Sequence, residues 1–288
     1  MQIDTHISCY GDTLWVPTEA QKQATRLVNY QSWLSCRKGI HTDDYQSLWR
    51  WSTQELDDFW LSIWEYFDVQ ADGDPHPVLG ARKMPGAQWF PNTRLNYAEH
   101  VFRNATKAHP ALIARDEDSP IRKVSWAELE RETSALAARL RTLGIRAGDR
   151  IASYMTNRPE TVIAFLACAS IGAIWSSCAP DMGPSVVLDR LRQIEPKLLF
   201  AMDSYSYNGS VHSRSEQVTE LLAQLPSVCH VVHVQGPANA ETEPPLWRNL
   251  LTWNECVAVA AQPRYDRLPF DHPLWIVYSS GTTGLPKH

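Results

Sequence analysis

A regular alternation of strand and helix signals between residues 125 and 234 constrains the fold of this chain more than any other feature. The predicted elements are a strand at 151–155, a helix at 159–171, a strand at 173–178, a helix at 184–195 and a strand at 198–202. Gly172 ends the first helix and Pro196 follows the second, as expected at helix ends. Strands joined through helices pair in parallel, with right-handed crossovers. The sequence thus predicts an α/β fold with two consecutive βαβ units.

Further helix and strand signals lie on both sides of residues 151–202. Ser125, three residues before a glutamate, predicts a capped helix that ends at Gly144. A helix near 215–225 and a strand near 229–234 extend the predicted sheet. The stretch GPANAETEPP that follows is predicted as an exposed loop.

The first 70 residues have a different character, because they hold six of the 12 tryptophans of the chain. Thr18 with Gln21, and Ser52 with Glu55, have the spacing of capping boxes. Aromatic residues then recur at helical spacing, which predicts a small helical unit whose aromatic stripe is a packing surface and not a ligand site.

Residues 70–88 are rich in Gly and Pro and are predicted as a linker. The expected division is therefore an N-terminal extension with its linker at residues 1–88 and a main domain at 89–288. A length of 288 residues accommodates both.

Composition excludes several classes of function. The net charge of −5 offers no basic excess for a nucleic-acid backbone. No apolar segment approaches the length of a membrane span, and no secretory signal is present, so we expect a cytoplasmic protein.

Metal and redox functions are also not expected. The six cysteines are scattered without zinc-ligand spacing and are predicted to be reduced thiols. His230 and His233 are three residues apart in a predicted strand, so their side chains lie on opposite faces and cannot share an ion.

The stretch WIVYSSGTTGLPKH at 275–288 is the strongest candidate in the sequence for a ligand-binding site. Residues 274–278 have the composition of a buried strand, and ligands bind beyond the carboxyl ends of such strands. The residues that offer hydroxyls, a turning backbone or a positive charge to a phosphate are Ser279, Ser280, Gly281, Thr282, Thr283, Gly284 and Lys287. Two residues separate Gly284 from Lys287, which disfavours a Walker A loop. On spacing alone, a Ser/Thr/Gly-rich surface turn stays an alternative.

YSSGTTGLPK resembles the signature loop of the acyl-adenylate-forming superfamily, which includes acyl-CoA synthetases, luciferases and peptide-synthetase adenylation domains. The block SWAELERETSALAARLRTLGIRAGDRIASYMTNRPETVIAFLACASIGAIWSS resembles the opening of the same domain. The segments YQSLWRWSTQELDDFWLSIWEYFDV and GAQWFPNTRLNYAEH are similar to those of acetoacetyl-CoA synthetases, and the N-terminal extension is similar to that of acetyl-CoA synthetases. The resemblance implies the N-terminal part of the adenylate-forming enzyme fold.

The resemblance also implies a two-step reaction. Acetoacetate attacks the α-phosphate of ATP in the presence of Mg²⁺, giving an acyl-adenylate, and CoA then displaces AMP. The family's catalytic lysine belongs to a later part of such enzymes, so the chain is expected to be an inactive N-terminal fragment. Met182 and Gly183 are weak candidates for the family's CoA-binding turn, since the following SYSYNG lacks the arginines of acetyl-CoA synthetases. Solvent-facing or carboxylate-paired roles are favoured for Arg190 and Arg192.

Two alternatives stay open from the sequence. One is an acyl-CoA synthetase for another short acid, such as acetate or propionate. The other is a truncated, non-catalytic protein that binds a partner or is vestigial.

Overall fold

A computed structural model describes residues 11–117, 119–237 and 245–279. Its first part is the predicted helical unit. The helices are α1 (Glu19–Gln23), α2 (Arg26–Lys38), α3 (Tyr45–Gln54) and α4 (Leu56–Tyr66). Tyr30, Leu34 and Leu48 form its small buried core, against which tryptophans such as Trp33 and Trp51 pack. Of the predicted aromatic stripe, Phe59 and Ile63 also pack against this core, whereas Trp60 and Trp64 line a cavity of about 390 Å³.

One predicted helix start in this unit is confirmed and one is wrong. Thr18 caps α1 in a capping box with Gln21. Ser52, however, lies inside α3, where its hydroxyl donates to the Trp49 carbonyl at 2.8 Å. This bond joins Ser52 to the preceding turn of α3, which continues to Gln54, and Glu55 is the N-cap of α4 without a side-chain hydrogen bond.

Short antiparallel strands connect this unit to the main sheet. They are β1 (Asp72–Gly73), β2 (Leu79–Ala81), β3 (Gln88–Trp89) and β4 (Thr93–Leu95), followed by α5 (Tyr97–Phe102), β5 (Leu112–Ala114) and β6 (Arg122–Val124). β1 pairs with β4, β2 with β3, and β5 with β6. Residues 70–88, predicted as a linker, therefore include strands that are hydrogen-bonded to later residues.

The predicted βαβ units are present. The elements are α6 (Trp126–Thr142), β7 (Arg150–Tyr154), α7 (Pro159–Ile171), β8 (Ile174–Cys178), α8 (Pro184–Ile194), β9 (Leu198–Met202), β10 (Ser204–Tyr207), β11 (Ser210–Ser213), α9 (Ser215–Gln224), β12 (His230–Val234), β13 (Leu250–Thr252), α10 (Trp253–Val257) and β14 (Leu268–Pro269). The five-stranded sheet has the order β13-β12-β9-β7-β8, and its neighbours pair in parallel. The α/β prediction is confirmed.

Local sequence explains where the crossover helices begin and end. The Ser125 hydroxyl accepts from the Glu128 amide and caps α6. Pro159 and Pro184 stand at the first positions of α7 and α8. Gly172 ends α7 with φ of 73°, and a Cβ there would lie 2.8 Å from the Leu268 side chain, so the position requires glycine.

The sheet is covered on both faces. Alternate strand residues, such as Trp175 and Phe200, pack against α6, α7 and α10, whereas Tyr154 and Leu199 pack against α8 and α9. Side chains along a strand alternate between faces, so each strand feeds both cores. No helix in the described residues is both long and apolar enough to span a membrane.

The two strand histidines have different surroundings. His230 is half-buried. His233 is buried, its ring meets Trp247 edge-on, and its Nε2 lies 3.4 Å from an Asp203 carboxylate oxygen. Within the described ranges, no group of three or more His, Cys, Asp and Glu residues is placed to hold a metal ion.

Candidate ligand-binding cleft

A cleft of about 710 Å³ opens where the parallel strands end. Its walls come from residues 155–157 after β7, residues 177–181 at the end of β8, residues 205–207 of β10, and Trp275. The carboxyl edge of a parallel sheet is where open α/β folds bind ligands. The position predicted for a ligand site therefore contains an open cleft.

The strand before the predicted phosphate loop lies at the edge of the sheet. The Trp175 amide donates to the Leu274 carbonyl at 3.1 Å, and the Ile276 amide donates to the Trp175 carbonyl at 2.8 Å. These bonds pair residues 274–276 in parallel with β8. Continued for four residues, the Trp175–Trp275 register places Ser279 beside residue 179, just beyond the carboxyl end of β8.

Two findings qualify the prediction for this segment. The segment is not a buried strand: Trp275 is 46% and Val277 is 67% exposed, because no described strand pairs on its other side. Of the predicted phosphate-binding residues, the structure describes Ser279 alone, which is exposed. The other six, Ser280, Gly281, Thr282, Thr283, Gly284 and Lys287, lie outside the described residues.

Tyr278 fixes this segment to α8. Its hydroxyl donates to the Arg190 carbonyl at 2.9 Å, and the Arg190 guanidinium lies 5.7 Å from the centre of its ring. Burial raises the pKa of Tyr278, so the hydroxyl keeps its proton at neutral pH. Arg192 is exposed and donates to Gln224. The structure pairs neither arginine with a carboxylate among the described residues, so the carboxylate-paired interpretation is not supported.

A second tyrosine holds the loop that leads into α8. The Tyr154 hydroxyl lies 2.9 Å from the Pro180 carbonyl and 2.7 Å from the Met182 carbonyl, and it can donate to either. Arg214 also donates to the Pro180 carbonyl, at 2.6 Å. Gly183 is the N-cap of α8 and is exposed, with no side-chain cap. Met182 and Gly183 thus lie in a fixed turn beside the cleft.

Cys178 is the thiol nearest to this turn in the chain, and it lines the cleft. Burial raises its pKa to about 11, although Arg190 partly offsets that effect. The thiolate is the nucleophilic form of cysteine, so a thiol that stays protonated at neutral pH is unsuited to covalent catalysis.

Sequence reasoning missed the hairpin that walls the cleft. β10 and β11 pair through the two-residue turn Asn208 and Gly209, which have φ of 52° and 71°. An Asn-Gly pair between alternating residues is a hairpin signal, and it was present in the sequence. The contacts of Tyr278 and Arg214 join residues 34 to 88 positions apart and have no comparable local signal.

The fold and the cleft together define an α/β protein with a cleft at the carboxyl edge of a parallel sheet. The family described as AMP-binding enzyme matches residues 100–288, and the one described as acetyl-coenzyme A synthetase N-terminus matches residues 45–101. The first match covers more than half of the chain, which therefore belongs to the AMP-binding enzyme family. The resemblance inferred from the motifs is confirmed.

Individual relatives give a finer comparison. The chain is 38% identical over 275 residues to an acetoacetyl-coenzyme A synthetase of Rhizobium meliloti, a match that covers 95% of the chain and 42% of the relative. It is 31% identical to a malonamoyl-CoA synthetase of Penicillium aethiopicum, covering 96% of the chain and 40% of that protein. The structure of an acetoacetyl-CoA synthetase from Streptomyces lividans matches with a TM-score of 0.90 and 46% identity, over 96% of this chain and 42% of that one. The chain thus spans about two fifths of the length of these relatives.

Proposed function

We propose that the protein is an acid–thiol ligase that activates acetoacetate with ATP. Acetoacetyl-adenylate and pyrophosphate form first, and CoA then takes the acetoacetyl group and releases AMP. The observation that carries the proposal is the match to the acetoacetyl-CoA synthetase from Streptomyces lividans, at 46% identity across nearly the whole chain.

The phosphate loop is proposed to act in the first step. Negative charge builds on the departing pyrophosphate, and fixed donors aimed at that charge lower the barrier by about 3 kcal/mol each. The proposed donors are Ser279, Ser280, Gly281, Thr282, Thr283, Gly284 and Lys287. Their supporting strand is fixed to β8 by backbone bonds and to α8 by Tyr278, so the loop starts from a rigid element.

The turn at Met182 and Gly183 is proposed to meet CoA. It borders the cleft, and Tyr154 and Arg214 fix the carbonyls beside it. A glycine at the N-cap lets a ligand approach the backbone of the turn closely.

Mg²⁺ is proposed to accompany ATP. Within the described residues no cluster of His, Cys, Asp and Glu forms a cage for an ion. Magnesium is usually held by few carboxylates together with the substrate's phosphates and water, so it would enter with ATP. When bound, the ion would neutralise phosphate charge.

The remaining parts of the proposal concern organisation. We place the N-terminal extension and its linker at residues 1–88 and the AMP-binding part at 89–288. The proposed reaction belongs to ketone-body use and lipid metabolism, in the cytoplasm, with acetoacetate, ATP and CoA as the small-molecule substrates.

Acid-dependent exchange of pyrophosphate into ATP by the full-length gene product tests the first step. We expect acetoacetate to support exchange better than acetate, propionate or malonamate. Malonamate is the most informative alternative acid, because one relative is a malonamoyl-CoA synthetase. Preference for another acid would reassign the substrate, and no exchange with any acid would favour the non-catalytic alternative.

Two loop variants test the residues. Lys287→Ala and Thr283→Val should each slow exchange by about 100-fold or more, because each removes a phosphate donor. Lys107→Ala, an exposed lysine far from the cleft in the chain, is the matched control and should leave exchange unchanged. Unaltered exchange in both loop variants would contradict the assignment.

A further inference from the structure

The β10–β11 hairpin divides two cavities beside the sheet. The cleft of about 710 Å³ lies on one side, and a cavity of about 620 Å³ lies on the other. Thr156, Tyr205 and Ser206 line both. The position of this hairpin therefore sets the width of the cleft.

The hairpin is not part of the five-stranded sheet and forms a sheet of its own. A two-stranded hairpin is marginally stable without further contacts. At its base, the Arg214 amide donates to the Asp203 carbonyl at 2.6 Å, and the Arg214 side chain donates to the Pro180 carbonyl. These bonds fix the base but leave the tip, about four residues away, to be held by something else.

Glu117 holds the tip. The amides of Asn208 and Gly209 each donate to a different oxygen of the Glu117 carboxylate, both at 2.9 Å. Two consecutive amides in left-handed conformation form a concave anion site, and here a side chain of the same protein occupies it. The same two bonds lower the pKa of Glu117, so the carboxylate stays charged at neutral pH.

The element that carries Glu117 is itself fixed. Glu117 lies between β5 and β6, where the Ala111 amide donates to the carbonyl of the buried Val124 at 2.8 Å. Arg122 on β6 forms an ion pair of 2.7 Å with Glu160 of α7. Glu117 thus connects the tip of the β10–β11 hairpin to the loop of the β5–β6 hairpin, whose strands pair with each other and whose Arg122 binds α7.

We infer that Glu117 is a positioning residue that fixes the β10–β11 hairpin as the wall of the cleft on the side where the thiol substrate binds. The inference rests on the proposed function. The hairpin follows β9, which β7 and β8 separate from the segment carrying Ser279. With strands about 4.8 Å apart, the two features lie on the order of 14 Å from each other along the sheet. Arg214, at the base of the hairpin, donates to the Pro180 carbonyl two residues before Met182, in the loop that leads into the turn proposed to meet CoA. We therefore expect Glu117 to affect the CoA step more than the adenylation step.

Half-reactions of the full-length gene product separate these steps. In Glu117→Ala we expect the KM for CoA to rise about tenfold, since small misplacements of a binding wall have effects of this size. Exchange of pyrophosphate into ATP, which needs no CoA, should stay within about twofold of the wild type. Glu117→Gln keeps one acceptor oxygen and should be intermediate. Asp116→Ala removes the neighbouring carboxylate and is the matched control. An unchanged KM, or equal losses in both half-reactions, would overturn the inference.

Hydrogen exchange provides a test that does not depend on the activity. The amides of Asn208 and Gly209 should exchange about tenfold faster in Glu117→Ala than in the wild type or in Asp116→Ala, because they lose their acceptor. Equal protection of these two amides in all three proteins would overturn the positioning role of Glu117, even where the wild type shows no ligase activity. If the wild type shows no ligase activity but the amides of Asn208 and Gly209 exchange hydrogen faster in Glu117→Ala, the proposed function alone would be overturned.

Discussion

Strand β9 and the segment of residues 274–279 are both apolar runs in the same sheet, but their surroundings differ. β9 lies between β7 and β12, and all five of its residues are buried. The edge segment pairs with β8, and alternate residues, Trp275 and Val277, face outward. Composition is alike in the two runs, so the number of neighbouring strands causes the difference.

The central strand and the edge segment are therefore expected to have different roles, the first in stability and the second in ligand binding. Apolar side chains at the centre contribute free energy of folding through burial on both faces of the sheet. At the edge, Trp275 is half exposed and lines the cleft, and the chain beyond it carries the residues proposed to bind phosphate. Substitutions at the centre should therefore change the free energy of unfolding, whereas substitutions beyond the edge should change catalysis.

The largest expected effect on stability is at Phe200. This fully buried residue of β9 packs against Trp175 and Trp253, with ring centroids 6.0 and 6.3 Å away. We expect Phe200→Ala to lower the free energy of unfolding of this chain by about 4 kcal/mol, measured by urea denaturation. Trp275→Ala, an aromatic truncation at the exposed edge, is the control and should cost about 1 kcal/mol. Equal costs would contradict the contrast between centre and edge.

The comparison of buried with exposed groups extends to charges. The Glu160 carboxylate is buried at the start of α7, with Arg158 at 2.6 Å and Arg122 at 2.7 Å. Burial alone would raise its pKa, but the two guanidinium groups outweigh burial, so the pKa lies below the usual 4.5. Glu160 therefore stabilises the fold above pH 4.5, and this stabilisation is lost as the pH falls through the lower folded value.

We expect Glu160→Gln to lower the free energy of unfolding by about 2 kcal/mol at pH 7. This is less than for a fully enclosed pair, since the Arg122 side chain is 44% exposed. The difference from the wild type should shrink below pH 4.5. Glu128→Gln, which loses a longer and more exposed pair with the same arginine, should change stability by about 0.5 kcal/mol at most. A difference that persists at low pH would show that the effect is not electrostatic.

Local signals explain which parts of the fold could be predicted from the sequence. Pro159 and Gly172 mark both ends of α7, and the apolar runs place β7 and β9 to within one residue. The Ser52 prediction failed because a serine hydroxyl can bond either to the next helix or back to its own turn, and spacing does not distinguish the two.

The candidate site was predictable only in part, for a related reason. A motif of consecutive residues predicted the phosphate loop, and the structure pairs Trp275, just before that loop, with Trp175 of β8. The exposure of Val277 depends on which strands pair, and the contact of Glu117 with Asn208 joins positions 91 residues apart. Pairing over such distances has no signature in a local window of sequence.

The smallest expected effect sharpens the contrast within the edge segment itself. Tyr278→Phe keeps the ring under Arg190 and removes the hydroxyl that donates to the Arg190 carbonyl. We expect a loss of about 1 kcal/mol in the free energy of unfolding, the usual net value of one hydrogen bond. Val277→Thr also changes a single group, replacing a methyl with a hydroxyl on the neighbouring, outward-facing residue. It should change the free energy of unfolding by less than about 0.5 kcal/mol. The rate of hydrogen exchange at the Ile276 amide, which donates to the Trp175 carbonyl, should rise in Tyr278→Phe but not in Val277→Thr. If both variants behave alike, β8 pairing alone holds the segment and Tyr278 has no part in supporting the loop.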